Sequence, residues 1–140
     1  MNREELKTIL PHREPMLLVD EAEMTGEITS RGSYRVRGDE WFLKGHFPGS
    51  PVVPGVMLCE ILAQTSCVLI ASRIKGTIPY FTGLNRVRFR RKVVPGDTIE
   101  IESAIVKERS PFFFAEAKGS VNGELAVEAE FSFMLEKQGE

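Results

Sequence analysis

The stretch 56–75 constrains this chain more than any other. Thirteen of its 20 residues are apolar, and they fall all round a helical wheel rather than along one stripe. A helix apolar on every side must be enclosed by protein, so the rest of the chain has to supply the enclosure. The stretch also holds Glu60, Gln64 and Arg73, which a bilayer span would not carry. Just before it, residues 45–55 contain three Gly and three Pro. Such a run cannot be a regular element; it reads as a stiff, specifically shaped loop ending where the helix starts.

The residues beyond the helix read as strands. Residues 81–91 alternate, Pro95-Gly96-Asp97 marks a turn, and 98–107 alternate again. Ser110-Pro111 interrupts, Phe112-Phe113-Phe114 resumes, and Asn122-Gly123 is a strong two-residue hairpin signal. Upstream, Asn2 with Glu5 forms a capping-box pattern, Pro11 stops the short helix, and 16–37 reads as extended with a turn at Gly26. One buried helix and several antiparallel strands require a sheet that curls around the helix. The strands are too few to close a barrel, so edges remain, and pairing two subunits is a common way to hide them. The expectation is an α+β domain that dimerises through its sheet.

A chain of 140 residues with 42% hydrophobic and 27% charged content, without repeat or linker, is expected to form one domain over 1–140. Its net charge of −2 argues against a general nucleic-acid or membrane-surface binder. Cys59 and Cys67 are eight residues apart, about 12 Å along a helix, beyond disulfide reach. They read as reduced thiols, and the amino terminus has carboxylates where a signal peptide needs an apolar stretch. A cytoplasmic protein is expected.

Glu60 and Gln64, four apart, stack on one helix face. A carboxyl desolvated among Met57, Leu58, Ile61 and Leu62 is expected to hold its proton above the usual range and so to serve as a general acid. A satisfied surface or interface Glu is the equally weighted alternative. His46, fixed in the Gly/Pro loop, offers a neutral imidazole as base, although a lone histidine is more often structural. Gly55 starts the helix, and its amide, unshielded by a side chain, is a seat for a carbonyl oxygen gaining charge. His12, in a loop between Pro11 and Arg13, reads as structural.

The run Gly45-His46-Phe47-Pro48-Gly49-Ser50-Pro51-Val52-Val53-Pro54-Gly55-Val56, with Glu60 and Ala63-Gln64 after it, resembles the signature of (3R)-hydroxyacyl-[acyl-carrier-protein] dehydratases of FabZ type. Leu10-Pro11-His12-Arg13 through Leu17-Leu18-Val19-Asp20 resembles that family's N-terminal element, and Phe81-Thr82-Gly83 through Pro95-Gly96-Asp97 its later strand and turn. The resemblance implies a hot-dog fold and a homodimer, commonly a trimer of dimers, with active sites between protomers. It implies His46 and, from the neighbouring subunit, Glu60 as the catalytic pair, acting on an acyl-carrier-protein thioester in fatty acid biosynthesis. On that resemblance His46 is expected to take the C2 proton, Glu60 to protonate the departing C3 hydroxyl, Gly55 N–H to receive the carbonyl oxygen, and Gln64 to hold Glu60 or the released water. No metal or cofactor is required. Glu rather than Asp at position 60 favours the non-isomerising branch. Cys59, Ile61 and Trp41-Phe42-Leu43-Lys44 depart from the usual family pattern.

Arg86, Arg88 and Arg90 alternate, so a strand would put them on one face, with Arg91 and Lys92 beside them. A solvated face and a dock for the acidic carrier, or for the phosphate of its pantetheine arm, are equal readings of the charges; the resemblance favours the dock. Val53, Met57, Ile61, Tyr80 and Phe81 are candidates for an acyl tunnel, and each is as readily core. The alternative functions are a hydratase or dehydratase on coenzyme A or polyketide thioesters, a thioesterase, and a non-catalytic acyl-thioester binder. The basic run and the His46–Glu60 spacing count against the thioesterase, and the intact pair against the binder.

Overall fold

The computed structural model describes residues 1–44, 49–71 and 77–137. Six strands form one antiparallel sheet in the order β1-β2-β4-β5-β6-β3. They are β1 (Glu21–Met24), β2 (Thr29–Arg35), β3 (Thr77–Phe89), β4 (Thr98–Arg109), β5 (Phe112–Val121) and β6 (Glu124–Lys137). A short helix α1 (Arg3–Leu6) precedes them, and α2 (Gly55–Ser66) lies against the sheet.

Local sequence accounts for most boundaries. Asn2 and Glu5 close the capping box of α1 in both directions. Asn122 and Gly123 both adopt positive φ, 51° and 79°, the two-residue turn whose twist matches the flanking strands β5 and β6. The expected helix over 56–75 is shorter as an α-helix. It ends at Ser66 and tightens into a 3-10 turn over Cys67–Ile70, while 72–76 lie outside the described residues. The cause is local: Thr65 Oγ1 donates to Ile61 O at 2.9 Å and Ser66 Oγ to Leu62 O at 2.7 Å. Hydroxyls bonded back to the preceding turn compete with the helical ladder.

Register places α2. The pairs Ala22–Gly32, Gly32–Ile101, Ile101–Gly119, Gly119–Val127 and Val127–Phe89 form one row across all six strands, facing the helix. Its glycines are contact points. A Cβ on Gly32 would lie 2.6 Å from Thr65 Cγ2 and from the Glu21 carbonyl, and one on Gly119 would lie 3.3 Å from Leu62 Cδ2. At the far end the Phe89 ring lies over Gly55, where a Cβ would come within 2.8 Å of Cζ. The helix therefore crosses the strands, with its start at β3, its middle at β5 and its end at β2. The next row, on the outer face, alternates in charge across the same six strands: Glu23, Arg31, Glu102, Lys118, Glu128, Arg88. Each opposed pair favours this register over a slip.

The main core joins Leu58, Ile61 and Leu62 of α2 to Ile99, Ile101, Phe113 and other inward strand residues. A second cluster, including Leu6, Leu10, Leu17, Val19 and Val68, lies under the N-terminal segment. A central helix wrapped by a curved antiparallel sheet is the hot-dog fold. Gly32→Ala is expected to destabilise the protein by about 1–3 kcal/mol, because backbone as well as side chain must yield. Urea denaturation with wild-type stability would contradict this account of the helix seat.

Candidate active site

Glu60 is the best-defined member of the expected constellation. It sits on α2 with its side chain 20% exposed. Gln64, one turn on and 2% exposed, donates from Nε2 to Glu60 Oε2 at 2.7 Å. The same Nε2 donates to Met16 O at 2.7 Å, and Gln64 Oε1 accepts from Leu18 N–H at 2.7 Å. Gln64 thus ties the extended segment 16–18 to the helix while holding the carboxyl.

A second group meets that carboxyl. His12 Nε2 lies 3.4 Å from Glu60 Oε2. Sequence reasoning missed this contact, because a 48-residue separation along the chain hides it; the resemblance of the Leu10-Pro11-His12-Arg13 element was the available signal. Together these neighbours reverse the expectation for Glu60. Burial is the largest single influence and pushes its pKa up, but the contacts from His12 and Gln64 and the His12 charge outweigh it, so the pKa falls below the ordinary carboxylate value.

Glu60 opens on a cavity of about 60 Å³ lined by His12, Gln64, Cys67, Tyr80, Phe81 and Phe133, among others. Of the tunnel candidates, Tyr80 and Phe81 line it. Val53 and Ile61 do not: they are buried in the main core, and Met57 packs against that core. Cys67 adds only a thiol, pushed up to about 12 by burial and by the Glu60 charge, so it stays protonated. The two cysteines are free. Gly55 begins α2 after Pro54, so its N–H belongs to the set a helix leaves without an internal partner, with the Phe89 ring against its α-carbon. His46 lies outside the described residues. Among those described, no group of three or more His, Cys, Asp or Glu side chains converges as a metal cage.

The basic run keeps Arg86, Arg88 and Arg90 on the outer face with Glu128 and Glu130, while Val87 packs against the core and Phe89 turns to the helix. A register shift separates Asn85 from Arg88, Arg86 has a φ of 50°, and β3 ends at Phe89. The bulge adds a residue beside Asn85 without moving the three arginines off the Glu128–Glu130 face. Arg86 reaches Glu130 at 3.7 Å, Arg90 reaches Glu128 at 3.0 Å, and Arg91 reaches Glu124 at 3.2 Å. Arg88 and Lys92 are exposed and reach no carboxylate among the described residues.

The model of the FabA-like domain matches residues 10–130. A 3-hydroxyacyl-[acyl-carrier-protein] dehydratase FabZ of Clostridium beijerinckii is 43% identical, covering 97% of this chain and 99% of its own. The chain belongs to the FabZ-type dehydratases. The Clostridium novyi protein of that name is 44% identical over 95% of this FabZ-type chain and 96% of its own. Among solved structures, the dehydratase heterocomplex ApeI:P from Xenorhabdus doucetiae superposes with a TM-score of 0.81 at 20% identity, over 95% of this chain and 91% of that one. A hypothetical thioesterase with coenzyme A from Streptococcus pneumoniae reaches 0.62 at 14% identity, over 86% and 89%. These two likenesses concern the fold, which hosts more than one chemistry. A FabZ-type dehydratase is a hydro-lyase, and a fixed, buried carboxyl beside a small apolar cavity suits that chemistry.

Two outcomes test this geometry. Gln64→Leu is expected to cost about 1–3 kcal/mol by leaving the buried Leu18 N–H unpaired, read as a lowered urea midpoint. A carboxyl with a lowered pKa stabilises the fold above its unfolded pKa and loses that contribution as pH falls through the folded value. The stability difference between wild type and Glu60→Gln should therefore shrink as pH falls below 4.5, in denaturation series from neutral pH downward. An unchanging difference would contradict the lowered pKa.

Proposed function

We propose that this chain removes water from (3R)-3-hydroxyacyl thioesters of acyl carrier protein in fatty acid biosynthesis, giving trans-2-enoyl thioesters, at sites shared by two protomers. The observation carrying the residue roles is the Glu60 carboxyl, desolvated, clamped by Gln64 and facing the Tyr80–Phe81 cavity. His46 takes the proton from C2, and that electron pair forms the C2–C3 double bond. The C3–O bond breaks as Glu60 supplies the proton that makes the leaving hydroxyl water. The Gly55 N–H receives the negative charge gathering on the thioester oxygen. The proton on His46 then returns to Glu60, which closes the cycle.

Glu60 must be protonated when the hydroxyl departs. Burial already pushes in that direction more strongly than any other single influence. Closing the site with substrate and a second protomer deepens the burial and favours the acid form. A second protomer also answers two features of the lone chain. The cavity of about 60 Å³ is small beside ligand pockets of about 300–1,000 Å³. β3 is an edge strand exposing Tyr80, Phe81, Leu84 and Phe89, an apolar edge that a partner strand would cover. The reading is a homodimer, with a trimer of dimers as the larger assembly, for which sedimentation provides the measurement. Arg88 and Lys92 are the members of the basic run free to meet the carrier or its pantetheine phosphate. The two free, buried cysteines support a cytoplasmic setting.

The test uses crotonoyl and 3-hydroxybutanoyl thioesters on acyl carrier protein and on coenzyme A. Interconversion on the carrier is the expected result, and preference for coenzyme A would move the substrate assignment. His46→Ala and Glu60→Gln should each reduce the rate by at least about 100-fold with the fold intact. Full activity in either would remove its assigned role.

A further inference from the structure

His12 is the polar residue beside Glu60 that the proton transfers of the reaction leave without a task. Its loop is rigidly held: Arg13 Nη1 donates to Leu10 O at 2.9 Å and to His12 O at 2.7 Å, and Arg13 Nη2 donates to Lys7 O at 3.2 Å. Leu10 and Leu17, on either side of the loop, are buried in the N-terminal cluster. The ring is therefore placed by its backbone, with Nε2 towards Glu60 Oε2 at 3.4 Å. Its Nδ1 is buried and hydrogen-bonded to nothing among the described residues. With a carboxyl oxygen at Nε2 and no partner at Nδ1, Nε2 is the nitrogen whose N–H meets Glu60, whether the ring carries one proton or two. His12 and Gln64 then approach the same carboxyl oxygen, and no donor among the described residues is bonded to the other, Oε1.

We propose that His12 is a positioning residue that, together with Gln64, occupies Oε2 of Glu60 and so leaves Oε1 as the oxygen that meets the leaving hydroxyl. The inference rests on the reading of Glu60 as the acid of the reaction. One fixed oxygen and one free oxygen define a single line of proton delivery, whereas a carboxyl free to rotate would present either oxygen in many directions. Orientation of this kind affects turnover rather than substrate affinity.

The test compares His12→Leu, His12→Gln and His12→Asn in the carrier-protein assay, with unfolding midpoints and sedimentation as controls. The Gln amide nitrogen reaches the place of Nε2, and the Asn amide nitrogen that of Nδ1. His12→Leu should lose about tenfold in kcat with KM changed by less than about twofold. His12→Gln should recover most of that loss and His12→Asn little of it. Equal activity of the Gln and Asn variants, or wild-type kcat in His12→Leu, would overturn the proposal. If His12→Leu fails to fold, the Gln and Asn pair decides alone. Glu60→Gln, measured in parallel, separates the two layers: full activity there would sink the acid assignment itself, whereas an inactive Glu60→Gln beside unaffected His12 variants would sink only the positioning role.

Discussion

Gln64 keeps its polar atoms inside the protein. Its carbonyl accepts from the Leu18 N–H, and its amino group donates to the Met16 carbonyl and to Glu60. A buried primary amide is tolerable only when it is satisfied in this way, and here each bond also fixes a different part of the molecule. The bonds to 16 and 18 hold the segment that leads from the N-terminal loop into β1, and with it the loop that carries His12. The bond to Glu60 sets the rotamer of the carboxyl. The carboxyl, the imidazole beside it and the wall of the cavity thus share one anchor on α2.

The anchor works because α2 itself has no freedom. Its start lies under Phe89, its middle over Gly119 and its end over Gly32, so three strands locate it along its length. The two glycines flank Ile101 in the same row, and the absence of two side chains forms the trough into which Leu62 and Thr65 pack. Close packing of this sort gives a site rigidity that loops alone would not supply. It also accounts for a carboxyl that is only 20% exposed: the close seat fixes the helix that holds it, and His12 and Gln64 approach it where water would otherwise stand.

Features governed by neighbours in sequence were legible beforehand. The Asn2–Glu5 cap, the Asn122–Gly123 turn, the Pro95-Gly96-Asp97 turn and the break at Ser110-Pro111 all stand where local chemistry puts them. The stacking of Glu60 with Gln64 was legible for the same reason. What escaped depends on partners distant along the chain or on competition between them. The helix ends early because two hydroxyls bond back to the preceding turn, which an apolar pattern does not reveal. The bulge between Asn85 and Arg88 on the edge strand β3 leaves no mark in the alternation of Arg86, Arg88 and Arg90. The acidity of Glu60 reverses because His12 comes from the other end of the chain. His46, the other half of the expected pair, lies outside the described residues.

The two adjacent rows across the sheet, glycine-bearing towards the helix and sign-alternating towards the outside, share one register. Inserting or deleting one residue within an inner strand would rotate both rows at once, driving a formal charge beneath α2 and turning a glycine trough outward. The places that tolerate a change of length are therefore the connections, such as 25–28 and 94–97, and the points where register shifts already absorb irregular spacing, on β3 and at the β4–β5 and β5–β6 pairings.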